Sequence, residues 1–432
     1  MQIQINLDKK VGKIKPMNAT GQAPLGGGQG YKAYDRFDYL SDIAVPYVRL
    51  HDVGGGFGGN RYVDIPNIFR DFDADENDPA NYDFAFTDAY ITALCKRGLK
   101  PYYRLGVTIE NHAEIKSYRL DPPKDPAKWA RICERIVAHY NDGWADGFHY
   151  DIEYWEIWNE PDDALRISQM WNGTAEEYYN LYDVTAKYLK EKHPNIKVGG
   201  YSCMGFQAIT DTPERLAENP RHQYQLDFFH GFLKYVKEHG APFDFFSWHF
   251  YNNTAFVPIH AQYAREQLDA YGFTNVENHL NEWNPATDRR HTAEHSAYIA
   301  KVMLGAQNSP LDMLMIYDAR MDGSRYDAFS TPASKLVLSH TYYAFAAFSF
   351  LSKLGTQVEL TCDTPEVYAV AASNGEKHAV MLVNMCETAQ ELQVCGVDLS
   401  DAKWYIIDDE HRLSWSPALK MVQPKMIVLI DF

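Results

Sequence analysis

Between about residue 10 and residue 340, short apolar runs alternate with longer stretches whose apolar residues return every three to four positions. A strand alternates its faces every residue and a helix repeats every 3.6, so this switching of period predicts repeated βα units. Eight strands are expected, at 11–18, 46–51, 100–107, 153–158, 196–201, 243–250, 276–283 and 312–317. The clearest helix between them covers 127–141, where Trp129, Ile132, Cys133, Ile136, Val137 and Tyr140 share one stripe. Another opens at Thr174, which forms a capping box with Glu177, and a third, 84–97, stops at Gly98. Eight strands, each followed by a helix, predict a (β/α)8 TIM barrel, an α/β fold, with a doubly wound sheet as the alternative.

From about residue 355 the period falls to two, in short runs separated by turn residues such as Asn374-Gly375. This predicts an additional C-terminal antiparallel β-sandwich domain. The expected division is a barrel over 10–345 and a sandwich over 346–432, with an N-terminal strand at 1–9 completing the sandwich.

Composition narrows the partner. Among 432 residues, the net charge of −17 repels polyphosphates and anionic membranes, and no basic run interrupts it, so neither nucleic acid nor membrane is expected. An aromatic content of 14%, with 30 Tyr and 9 Trp, is high and needs surfaces to cover, and a neutral ligand fits the charge better than an anionic one. The six cysteines are scattered without a C-x-x-C pair, which predicts reduced thiols rather than a disulfide framework or a zinc site. The opening residues lack a signal-peptide pattern, so the chain reads as soluble and unanchored, either cytoplasmic or exported with its signal absent from the sequence.

Active sites of such barrels sit at the carboxyl ends of the strands. There the fourth strand ends in Asn159-Glu160-Pro161, and the seventh carries Asn281-Glu282-Trp283-Asn284. Two carboxylates facing one barrel mouth suit glycoside hydrolysis: one protonates the departing oxygen while the other attacks or stabilises the oxocarbenium-like carbon. At a separation of about 5 Å, the second charge is expected to raise the pKa of the first. Glu156, on the same alternation as Glu160, is expected to point into the barrel and pair with Arg49 or Arg104.

The run WEIWNEP resembles the acid/base motif of clan A glycoside hydrolases, and the chain is similar to glycoside hydrolase family 39 over about 10–340. The resemblance implies a retaining enzyme acting on terminal glycosidic bonds, with Glu160 as acid/base, Glu282 as nucleophile and no cofactor. It further implies that Asn159 binds the sugar 2-hydroxyl, that Arg49 supports the nucleophile, and that His51, His249 and Tyr251 contact sugar or nucleophile. The clan's tryptophan near the end of strand eight is absent here, which leaves Tyr317, Trp283 or an aromatic from another loop to stack on the sugar. Family activities include β-xylosidase and α-L-iduronidase, and arabinosidase or glucosidase specificity is a further alternative on the same barrel.

Other features admit rival readings. His51, His112, His249 and His279 near strand ends raise a metal-dependent sugar isomerase, although no H-E-x-x-H or clustered Cys/His spacing accompanies them. A non-catalytic carbohydrate-binding barrel is the alternative of another class. Gly54, Gly56 and Gly59 match a dinucleotide fingerprint without the helix start it requires, and read as a loop over the mouth. The acidic stretch 71–78 lacks the Gly and Glu of a calcium loop and reads as solvated. Arg289, Arg290, Arg320 and Arg325 concentrate positive charge after strands seven and eight, either as surface charge or to bind a substrate carboxylate.

Overall fold

The chain's first strand, β1 (Gln2–Lys13), buries Ile3 and Ile5 and leaves Asp8 to Lys10 largely in solvent. It pairs antiparallel with a strand about 350 residues away, from Ile3 opposite Cys362 to Lys13 opposite Thr356. The barrel strand expected at 11–18 is therefore a misassignment. Its first three residues finish β1, Pro16 has no N–H to donate to a ladder, and the barrel begins only at β2 (Ala19–Thr20). The structure, a computed structural model, describes residues 1–22, 24, 36–54, 61–108, 120–163, 168–285, 290–331 and 336–432.

Seven more parallel strands follow in order: β3 (Tyr47–Leu50), β4 (Lys100–Leu105), β5 (Tyr154–Ile157), β6 (Lys197–Cys203), β7 (Phe245–Phe250), β8 (Glu277–Trp283) and β9 (Met313–Ile316). β9 returns to pair with β2, which closes the barrel. The helices between them form as the periodicity predicts. Pro126–Asn141 is capped by the Asp125 side chain, and Ala175–Lys192 by the reciprocal bonds of Thr174 and Glu177. The acidic stretch is not wholly solvated: Glu76 turns inward, where Arg131 Nε donates to it at 2.6 Å.

Inward side chains stack in layers. The floor is aromatic and apolar, with Tyr102, Tyr154, Phe245, Met313 and Met315. Above it lies a polar layer of Arg49, Glu156, Ser202, Ser247 and Asn281, all fully buried.

The remaining strands are β10 (Thr356–Cys362), β11 (Val367–Ser373), β12 (His378–Asn384), β13 (Gln390–Glu391), β14 (Gln393–Cys395), β15 (Lys403–Ile407), β16 (Arg412–Ser416), β17 (Met421–Val422) and β18 (Ile427–Asp431). They give an eight-stranded sheet ordered β14-β1-β10-β11-β12-β18-β15-β16 and a ribbon of β13 with β17. One sheet face encloses Ile3, Val358, Val380, Leu382, Trp404, Val422 and Ile430. The other carries Val370, Met381, Val383 and Leu429 into the same core as the barrel helices. The helix His340–Leu354 packs beneath that face, and the boundary drawn at 345/346 falls inside it. Among the described residues, no helix is long and apolar enough to cross a membrane.

Candidate active site

Burying a carboxylate is costly unless hydrogen-bond donors surround it. Glu156 collects four: Arg49 Nε at 2.7 Å, and Ser202 Oγ, Ser247 Oγ and Asn281 Nδ2 each at 2.6 Å. Burial pushes its pKa up, but the Arg49 charge and the serine hydroxyls outweigh that and hold the group below its ordinary value. The rest of the Arg49 fork points toward the mouth, Nη1 to Glu282 Oε1 at 2.6 Å and Nη2 to Asn159 Oδ1 at 2.6 Å. One guanidinium, anchored on the polar layer, thus positions residues from both strand-end motifs.

The two mouth glutamates have unlike surroundings. Glu282 accepts from Arg49 on one oxygen and from the Tyr251 hydroxyl on the other, at 2.6 Å. Among the described residues no such cation lies against Glu160; its Oε1 lies 2.6 Å from His249 Nδ1. Burial first and the Asp163 carboxylate next push Glu160 up to about 8, against weaker pulls from Arg49 and Arg221. This differs from the sequence expectation, in which the opposing glutamate supplied the rise. Burial also drops His249 to about 4, so at neutral pH the imidazole is uncharged and Glu160 holds its proton. One oxygen from each glutamate and a ring nitrogen of His249 all lie within 4.8 Å of one another.

Breaks in strand alternation aim these groups. The register shifts between Trp248 and His249 and between Leu280 and Trp283 mark one extra residue in β8, which turns Glu282 to the mouth beside His249, itself in regular alternation with Phe245 and Ser247. Beyond β5, Trp158 and Glu160 adopt positive φ, 74° and 48°, uncommon for such residues and costly unless the surroundings hold them. Trp158 thereby leaves the barrel interior and packs between Trp129 and Trp171.

The structure brings Arg49, His51, Asn159, Glu160, His249, Tyr251, Glu282 and Tyr317 to one mouth. Trp283 is not available as a sugar platform: it is 1% exposed, within the core outside the barrel. Tyr317 stays at the mouth, its ring 6.2 Å from Tyr251 and 5.7 Å from Tyr326, an aromatic that sequence reasoning missed. His279 lies in the floor beside Tyr102 and Phe245, remote from the mouth. Arg320 is satisfied by Asp318, whereas the guanidinium groups of Arg290 and Arg325 lie over the Tyr326 ring at 5.0 and 5.4 Å. His112, Gly56, Gly59 and Arg289 fall outside the described residues. Ser202, Ser247 and Asp52 were also missed, because single polar residues beside strands carry no local signature.

Glu160, His249 and Glu282 form a three-ligand set by distance. It suits a dication poorly, because Arg49 already places a fixed positive charge on Glu282 and Glu160 holds a proton at neutral pH.

The family model described as glycosyl hydrolases family 39 matches residues 1–314. A β-xylosidase of Geobacillus stearothermophilus is 23% identical over 89% of this chain and 78% of its own. A β-xylosidase of Caldicellulosiruptor saccharolyticus is 27% identical over 46% of this chain and 40% of its own. The fold matches a glucosidase from Croceicoccus marinus with a TM-score of 0.76 at 21% identity, covering 100% and 98% of the two chains. It matches a family 39 β-xylosidase from Caulobacter crescentus with a TM-score of 0.68 at 17% identity, covering 100% and 99%.

Proposed function

The chain belongs to glycosyl hydrolase family 39 and is a glycoside hydrolase, and from that premise we propose that it is a retaining, β-xylosidase-like enzyme acting on terminal sugars of oligosaccharides or glycoconjugates. The observation that carries the proposal is the pair Glu160 and Glu282, with one oxygen of each within 4.8 Å and with opposite environments. An oxygen–oxygen approach of that order accords with the about 5–5.5 Å between carboxyl groups in double displacement rather than the about 6.5–9.5 Å of an inverting enzyme. In the first step Glu282 attacks the anomeric carbon, and the C–O bond to the leaving group breaks as Glu160 gives that oxygen its proton. The product is a glycosyl ester on Glu282 and a deprotonated Glu160. In the second step Glu160 takes a proton from a water that attacks the same carbon, and Glu282 departs as a carboxylate. Both displacements occur at one carbon, so the configuration is retained.

Incubation with 2-deoxy-2-fluoro-β-xylosyl fluoride, followed by intact mass and peptide mapping, tests this reading. A stable adduct on Glu282 is expected. An adduct on another residue, or turnover that releases the inverted anomer, rules the mechanism out.

One observation favours an acidic sugar as a second reading. Arg290 has no ion-pair partner among the described residues, its Nε is buried without a hydrogen bond, and it faces the tyrosine cluster beside Glu282. Arg290→Gln then lowers kcat/KM for an aryl uronide while leaving the xyloside unchanged. Equal effects on both substrates exclude it.

A further inference from the structure

Two carboxylates buried about the barrel mouth are bonded on both oxygens, and a third, that of Asp52, is not. Asp64 accepts from Arg104 Nη2 at 2.6 Å and Thr108 Oγ1 at 3.0 Å on one oxygen, and from Thr108 N at 2.7 Å on the other. Glu156 accepts four bonds. Asp52, 4% exposed, accepts a single bond, from the Tyr317 hydroxyl to Oδ2 at 2.9 Å. Its Oδ1 is buried and has no hydrogen-bond partner among the described residues. An acceptor left open in this way costs about 1–3 kcal/mol. A carboxylate retained only to tie strands together gains nothing from that cost, whereas one that meets a ligand recovers it on binding.

The position of Asp52 identifies the ligand group. His51 Nε2 lies 3.5 Å from Asp52 Oδ1 and 4.0 Å from Glu282 Oε1, so the open oxygen is within one sugar ring's reach of the candidate nucleophile. His51 Nδ1 is also without a hydrogen-bond partner among the described residues. Burial, then the charges of Arg49 and Arg104, keep His51 neutral, so it does not act as a counter-ion to Asp52. The aspartate is held from three directions: its own strand β3, the Gln22 side chain after β2, which donates to Asp52 O at 2.6 Å, and Tyr317 after β9. Its φ of 53° swings the side chain out of the regular alternation.

We propose that Asp52 is a specificity-determining residue of the catalytic site, whose open Oδ1 accepts a hydrogen bond from a ring hydroxyl of the glycone lying against Glu282, with Tyr317 holding the carboxylate in position. The inference rests on the glycosidase reading above. It assigns the enzyme a requirement for a hydroxyl on the part of the sugar ring remote from the scissile bond, because without that donor the open acceptor stays buried and unpaired.

The test measures kcat/KM on 4-nitrophenyl β-D-xyloside, or whichever aryl glycoside the enzyme turns over fastest, and on its 2-, 3- and 4-deoxy forms. Wild type is compared with Asp52→Ala and Asp52→Asn. Wild type is expected to lose about ten- to a hundredfold on the 3- or the 4-deoxy form. Asp52→Ala is expected to lose the same factor on the parent glycoside and to stop distinguishing the parent from that analogue. A common loss on the parent and all three analogues overturns the proposal, since it reads a purely structural role through Tyr317, and so does an unchanged parent activity. If Asp52→Ala melts well below wild type, the near-isosteric Asp52→Asn decides by the same comparison. Absence of wild-type turnover on every glycoside overturns the glycosidase reading and this inference together, whereas turnover uncoupled from Asp52 overturns this inference alone.

Discussion

Two glutamates four residues apart take opposite protonation states because of what surrounds each. Glu160 has an ordinary pKa of 4.5 and is lifted to about 8 in the fold, chiefly by burial. As the proposed general acid it works protonated, so kcat/KM is expected to fall as pH rises through about 8. Glu160→Gln is expected to lower kcat by about 10²- to 10⁴-fold on glycosides with poor leaving groups, and much less on activated aryl glycosides. Stability adds an independent readout. Between pH 4.5 and 8 the folded state binds this proton and the unfolded state does not, so the group costs stability increasingly across that window. Glu160→Gln is therefore expected to melt near wild type at pH 4 and above it at pH 9; equal shifts at both values contradict the assignment. Glu156 behaves in the reverse sense, since its shift is downward. Glu156→Ala leaves the Arg49 charge buried without its anchor and is expected to cost about 3–5 kcal/mol in denaturant unfolding.

At the scale of elements, the site depends on where strands stop being regular. Strict alternation from Glu156 places Trp158 and Glu160 on one inner face, yet Trp158 packs outside the barrel with Trp171, 5.1 Å away. Alternation from His279 and Asn281 puts Glu282 on the outer face, and the register shift between Leu280 and Trp283 brings it in. The two-residue strand β2 contributes space rather than chemistry. A Cβ on Gly21 meets Asn281 O at 2.8 Å and Glu282 Cγ at 3.5 Å, and a backbone oxygen cannot rotate away. Gly21→Ala is expected to lower kcat by an order of magnitude or more through displacement of Glu282, with circular dichroism unchanged. An unaltered kcat shows that β2 yields without disturbing the site.

At the scale of the molecule, the C-terminal sheet and the barrel share a core. Met381 and Leu429 on the sheet belong to the same buried cluster as residues of Ala293–Gln307 and His340–Leu354. Gln307 binds Lys13 O at 2.8 Å and Gln357 Oε1 at 2.8 Å, which joins barrel helix, first strand and sheet. Unfolding is expected to be one transition, with loss of activity coincident with loss of β-sheet signal. Met381→Ala, at a fully buried position far from the mouth, is expected to cost about 2–5 kcal/mol and to shift both signals together. Two separate midpoints contradict a shared core.

The alternating periods of hydrophobicity determined the barrel and the second sheet by themselves, because a buried face must repeat at the period of its element. Seven of the eight barrel strands were legible from that repeat, and the two glutamates that meet at the mouth from their place at strand ends. What only the tertiary structure decided is non-local. β1 belongs with β10 because Ile3 and Ile5 find their apolar partners there, and no local pattern encodes a partner 350 residues away. Glu282 faces inward because a register shift cancels the alternation, Trp283 is lost to the core by the same shift, and Asp52 reveals itself only through the bond it lacks. A hydrogen-bond vacancy is a relation among three strands, and a linear sequence does not carry it.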